Sequence, residues 1–146
     1  MRTRLLFPLL LLSWLLFLFS LLFLRVNPSE SVPYTLFFSN RASSPKLGDY
    51  VSIRHPSGKN LVKRVAGVGG DSIEVKEGRL FLRGRDHGEV KERSLSGRPF
   101  SPVSQKEVPE GLLFLLGEHP YSYDSRYEEF GLVPILEVNE VLWPLF

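Results

Sequence analysis

The chain has no cysteine and a single methionine among its 146 residues. Without cysteine there is no disulfide framework, no thiol nucleophile and no thiolate metal site. Histidine is scarce, at three residues. His55, His87 and His119 sit in polar, loop-like contexts, and none stands where a pattern pairs it with a nucleophile. Net charge is also low, at a formal +2 that comes from Arg2 and Arg4. Past residue 24 the chain carries 16 lysines and arginines against 16 acidic residues. Such a balance leaves no electrostatic footprint for nucleic acid. No internal repeat and no long amphipathic helix can be found.

Charged groups are missing altogether from one stretch. Leu5 to Leu24 reads LLFPLLLLSWLLFLFSLLFL, with Ser13 and Ser20 as its only polar side chains. At a helical rise of about 1.5 Å per residue this run spans roughly 30 Å, the thickness of a bilayer core. Pro8 falls in the first turns, where a helix tolerates proline. A cleaved leader is the competing reading, since Arg2 and Arg4 form a basic head. The run exceeds the ~7–15 apolar residues of a leader, however, and no small-x-small cleavage site follows it. The expectation is a retained tail and transmembrane anchor over residues 1–24 and one domain over residues 25–146. The basic residues before the span put the amino terminus in the cytoplasm and the domain on the extracytoplasmic (periplasmic) side.

Beyond the anchor, apolar alternation has strand period. Tyr50–Ile53 and Leu61–Val65 read as short strands. Ser72–Val75 and Arg79–Leu82 flank Lys76-Glu77-Gly78 as a hairpin. Leu112–Leu116 is a continuous apolar run between two glycines, suited to a buried strand and short for a helix. Leu132-Val133 and Val138–Trp143 supply the last strands. Gly84–Pro109 is charged and rich in Gly, Pro and Ser, and is expected to be a long exposed excursion. The fold expected is all-β: a small domain of coiled antiparallel sheet behind one amino-terminal transmembrane helix. For Trp143, Leu145 and Phe146, core and bilayer are both open.

Three segments carry chemistry. Pro28-Ser29-Glu30-Ser31-Val32-Pro33 sets a hydroxyl between prolines, seven residues past the span. It could equally be a stiff polar linker. Leu61-Val62-Lys63-Arg64-Val65 puts Lys63 on the face of a strand that it shares with Leu61 and Val65. An ammonium there is costly unless it loses its proton. The glycines after it do not make a phosphate loop, which needs its lysine behind them. Ser122-Tyr123-Asp124-Ser125-Arg126 places Asp124 and Arg126 two apart, as for an ion pair.

Taken in this order behind one span, the segments resemble the type I signal peptidase family, serine peptidases of family S26 that cut leader peptides from exported proteins. Lys63-Arg64-Val65-Ala66-Gly67-Val68-Gly69-Gly70-Asp71 and the Ser122–Arg126 box are the specific parts, and Gly48-Asp49-Tyr50-Val51 adds a weaker one. The tight Ser31-Val32-Pro33 is closest to the conjugative-transfer branch, although Thr35 and Phe37 stand where that branch has Gly and Tyr. Gly117-Glu118-His119 replaces the family's Gly-Asp-Asn. The resemblance implies Ser31 as nucleophile, Lys63 as general base, Ser29 with the Ser31 N–H as oxyanion hole and Ser122 as the hydroxyl orienting Lys63. Asp124 and Arg126 would support that loop. It implies no metal and no organic cofactor. Expected partners are leader-bearing preproteins and the lipid bilayer, and nothing bears on oligomeric state. Two other readings stay open: a pilin-processing peptidase of a conjugation system, and a membrane-tethered binding subunit without activity.

Overall fold

A computed structural model describes residues 3–27, 29–56 and 58–146, with side chains from residue 6 onward. Arg2, the Arg4 side chain and Pro28, which the sequence reading used, lie outside the described residues. Helix α1 runs from Thr3 to Phe23. It is built almost wholly from leucine and phenylalanine, and its segment Leu6–Phe23 is long and apolar enough to cross a membrane. Its large side chains are exposed all round, as suits a helix whose solvent is lipid.

The remainder is antiparallel β structure. Ten strands follow: β1 Leu24–Val26, β2 Leu36–Asn40, β3 Tyr50–Arg54, β4 Asn60–Val68, β5 Ile73–Lys76, β6 Arg79–Leu82, β7 Arg85–Glu89, β8 Leu112–Leu116, β9 Val133-Pro134 and β10 Val138–Pro144. Seven form one sheet in the order β1-β2-β10-β3-β4-β8-β9, and β5-β6-β7 form a second. The β5–β6 turn puts both Glu77 (φ 49°) and Gly78 (φ 71°) in the left-handed region. That is the two-residue turn whose twist matches an antiparallel pair.

The continuous apolar run of β8 is explained by two cores. Leu113 and Leu115 join Val51, Ile53, Val65 and Val141 on one side. Phe114 and Leu116 join Ile73, Leu80, Leu82 and Tyr127 on the other. A strand buried on both faces has no polar alternation to show.

Three differences from the sequence reading matter. Leu24, counted in the anchor, begins β1. Leu36–Asn40, which the sequence reading did not count as a strand, is β2. Gly84–Pro109 is not wholly exposed: it holds β7, and Val90, Val103 and Val108 are buried under the second core. Single apolar residues spaced far apart in a charged stretch give no period, yet each closes one gap in the core.

Helix α1 and β1 join the rest of the sheet through aromatic and ionic contacts. Phe23 stacks on Phe38 at 5.5 Å, and Phe38 on Trp143 at 5.7 Å. Arg25 donates from Nε and Nη2 to the buried Glu140, both at 2.8 Å. Trp143, Leu145 and Phe146 lie on the surface.

Candidate active site

The loop carrying Ser31 is closed at its base by the Asn27 N–H donating to the Thr35 carbonyl at 2.8 Å. Asn27 shapes it from inside. Its Oδ1 accepts from the Ser29 N–H at 3.2 Å, and its Nδ2 donates to the Ser29 carbonyl at 2.9 Å. This is the local bonding an asparagine offers in place of a regular turn. Val32 is 3% exposed and packs with Phe37 and Leu142. An apolar pin thus fixes the residue after Ser31, while Ser31 itself stays half-exposed.

Lys63 lies opposite Val51 in the β3–β4 ladder, on the face its sequence neighbours required. It is 2% exposed. Its Nζ donates to Ser122 Oγ at 2.5 Å and lies 3.4 Å from Ser31 Oγ. Burial lowers its pKa to about 8, with Arg126 pushing the same way and Asp124 opposing. Desolvation therefore wins over a nearby carboxylate, which leaves about a tenth of the amine deprotonated at pH 7, against well under a thousandth for a free lysine.

Ser122 is held by a staple around the end of β8. Arg126 donates from Nε to Asp124 Oδ1 at 3.0 Å and from Nη2 to Oδ2 at 2.9 Å. Asp124 also accepts the Gly117 N–H at 2.9 Å, and Arg126 Nη2 reaches the Gly117 carbonyl at 3.0 Å. Ser125 accepts the Leu115 N–H at 3.0 Å. The pair expected between Asp124 and Arg126 is present and buried. Ser29 lies beside Ser31, its Oγ accepting from the Ser31 N–H at 3.2 Å. The structure thus brings Ser29, Ser31, Lys63 and Ser122 together, with Asp124 and Arg126 behind them.

Gly117, Glu118 and Asn27 received no role from the sequence. A Cβ on Gly117 would stand 1.9 Å from Ser122 Oγ and 3.1 Å from Lys63 Nζ, so a side chain there would displace the base's partner. The Glu118 N–H donates to the Ser31 carbonyl at 2.6 Å. Its carboxylate accepts from Tyr50 OH at 2.6 Å and pairs with Arg64 Nε at 3.5 Å. Asn27, one residue before a proline, was the only one of the three with a readable turn signal. His87, expected to be an exposed loop residue, lies half-buried on β7. Burial, with Arg64 and Arg83 beside it, lowers its pKa.

Two cavities flank the dyad. One, of about 560 Å³, has a mainly apolar lining that includes Arg25, Val26, Ser29, Leu61, Val62 and Leu142. It lies between the outer edge of β1 and the part of β4 that β8 does not reach, since β8 pairs only with Arg64–Val68. The other, of about 610 Å³, is polar and is lined in part by Arg64, His87, Gly117, Glu118 and Arg126. Among the described residues no cluster of three or more His, Asp or Glu side chains could hold a metal ion.

Comparison with known proteins finds the family described as signal peptidase, peptidase S26, matched over residues 2–141. Signal peptidase I V of Bacillus subtilis is 34% identical over 116 residues, covering 71% of this chain and 67% of its own length. Signal peptidase I of Leptolyngbya laminosa is 27% identical over 130 residues, covering 75% of this chain and 61% of its own. The crystal structure of a signal peptidase I from Enterococcus faecalis superposes with a TM-score of 0.49 at 28% identity, over 69% of this chain and 98% of that one.

Proposed function

Since the chain belongs to the signal peptidase S26 family of serine endopeptidases, we propose that it is a membrane-anchored peptidase that removes leader peptides by a Ser31–Lys63 dyad. The observation that carries this reading is the buried Lys63 amine lying between the Ser31 and Ser122 hydroxyls. A serine hydroxyl is a weak nucleophile until a base takes its proton. With a pKa near 8, Lys63 can accept that proton and still return it to a leaving amine.

Ser31 Oγ attacks the scissile carbonyl as Lys63 takes its proton. The protonated Lys63 then donates to the leaving amine, and water hydrolyses the acyl-enzyme through the same base. Ser122 occupies one N–H of Lys63, which turns the amine's lone pair towards Ser31. The developing oxyanion is received by the Ser31 N–H and the Ser29 hydroxyl. These two groups bond each other in the resting site, so a turn of Ser29 about χ1 releases the N–H and swings its own O–H in. One such donor is worth about 10²–10³ in rate.

Substrate lies extended in the apolar cavity, adding its backbone to the free edges of β1 and β4. That cavity begins at Arg25, directly after α1, so it faces the membrane from which a leader emerges. The helix spans the bilayer with the amino terminus in the cytoplasm and residues 25–146 outside. The tight Ser31-Val32-Pro33 favours a second reading within the same chemistry, a peptidase dedicated to a conjugative pilin.

The test is cleavage of leader-bearing substrates, a pilin precursor among them, by full-length protein in detergent. Wild type should cut, and Ser31→Ala and Lys63→Ala should not. Activity surviving in either variant would sink the dyad. No cleavage of any leader by wild type would favour a tethered binding subunit instead.

A further inference from the structure

The polar cavity has no part in the chemistry above, yet its rim is the segment that holds the dyad. Along β4, Leu61 and Val62 line the apolar cavity and Arg64 lines the polar one, with Lys63 between them. On the loop side, Ser29 lines the first cavity. Glu118, whose N–H holds the Ser31 carbonyl, lines the second. A chain cut at Ser31 and entering through the apolar cavity therefore leaves through the polar one.

The charges of the polar cavity are not equally satisfied. Arg79 pairs with Asp86 at 2.6 Å, Lys91 with Glu89 at 2.5 Å and Arg126 with Asp124 at 2.9 Å. Among the described residues Arg64 has only the 3.5 Å contact from its Nε to Glu118 Oε1, the same oxygen that accepts the Tyr50 hydroxyl. That Nε makes no hydrogen bond among the described residues, its contact being the long ion pair, and His87 Nε2 makes no hydrogen bond either. Polar nitrogens left without a hydrogen bond are rare in folded proteins, and the Arg64 side chain is 39% exposed, so its guanidinium can be reached from outside. The two nitrogens are in side chains that line one cavity. Arg64, Arg83 and Arg126 all act on His87 as positive neighbours, while the lining carboxylates Asp86 and Glu89 are each taken up by a closer cation, Arg79 and Lys91.

We propose that this cavity is a specificity site for a carboxylate side chain on the first or second substrate residue after the cut, with Arg64 as its cation. The proposal rests on the peptidase reading for the direction of the substrate, but not for the acidic preference itself. A guanidinium meets a carboxylate in a planar fork, and a charge-assisted pair out of bulk water is stronger than a neutral one.

The experiment uses full-length protein in detergent and leader peptides that differ only after the cut, with Asp, Ala or Lys at the first two positions. Wild type should cut the Asp peptide about tenfold more efficiently than the Lys peptide, the effect of one well-formed charged contact. Arg64→Glu should reverse that order, Arg64→Gln should bring the ratio near one, and Arg64→Lys should keep part of it. Structural damage would lower all peptides together, so an unchanged ratio in Arg64→Glu and Arg64→Gln overturns the site. So does an equal preference when the aspartates are moved to the sixth position, which would be general attraction. The affinities of the same peptides for Ser31→Ala protein, read by fluorescence anisotropy, decide the matter apart from catalysis. An Asp preference there that Arg64→Glu reverses sustains the acidic site even if wild type cuts nothing. Equal affinities overturn it even if the dyad is active.

Discussion

Lys63 and Arg126 are both cations buried in one corner of the sheet, 2% and 4% exposed. They are treated in opposite ways. Arg126 has a carboxylate on its fork and two backbone carbonyls, of Gly117 and Glu89, on its remaining donors. Lys63 has two hydroxyls and no carboxylate at bonding distance. A buried cation with a full set of partners is a structural post. A buried cation offered only neutral groups is pressed to give up its proton, which is what a base must do.

The comparison breaks first if a cation alone is enough at position 63. Lys63→Arg keeps the charge, but a guanidinium does not lose its proton. Cleavage should fall by at least about 10³-fold, and residual activity near wild type would reject proton transfer at this position. Next comes the post. Asp124→Ala leaves Arg126 buried without its carboxylate and should cost about 3–5 kcal/mol of stability, measured by urea unfolding with CD. A loss under 1 kcal/mol would mean that Arg126 reaches water.

Gly117→Ala tests the space around the base. The added Cβ would meet Ser122 Oγ, and misplacing the hydroxyl that orients Lys63 should lower kcat about 10²-fold with little change in KM. A rise in KM at constant kcat would put Gly117 in substrate binding instead. The opposite sign is expected of Lys63→Met, which removes a poorly partnered buried amine. It should be inactive yet more stable by roughly 1–3 kcal/mol near pH 7, as seen in its thermal midpoint.

The smallest effect is in pH. Lys63 acts as a base only when neutral, and its pKa is lowered to about 8. Activity should therefore climb roughly tenfold per unit below that value and level off above it. A profile flat from pH 6 to pH 9 would show that Lys63 is not the titrating base.

Much of this contrast was legible beforehand. Lys63 between Leu61 and Val65 on one strand face already implied a desolvated amine, because side chains alternate whatever the sheet does next. Asp124 and Arg126 were readable as a pair from their spacing. The hairpin at Glu77-Gly78 and the buried run Leu112–Leu116 carried their own local signals. Val90, Val103 and Val108 did not, because an isolated valine in a charged stretch shows no period. His87 was misjudged for the same reason. Its burial comes from tertiary packing, and Arg64, one of the charges that lower its pKa, stands on β4, distant in the chain.

What the sequence determined by itself is therefore local: a span of lipid-thickness apolar residues, a strand that must bury its lysine, and an acid-base pair two residues apart. These follow from periods of 1.5 Å rise and two-residue alternation, which need no partner. The tertiary structure decided which hydroxyls meet Lys63. Ser31, Lys63 and Ser122 are 32 and 59 residues apart in the chain. The pairing of β4 with β8 and the staple of Arg126 on Asp124 bring in Ser122, and the Glu118 N–H on the Ser31 carbonyl brings in Ser31. It also decided that Gly117 must lack a side chain and that Arg64 faces a cavity of its own. Steric room and field are sums over neighbours from several strands, and no single stretch of sequence contains them.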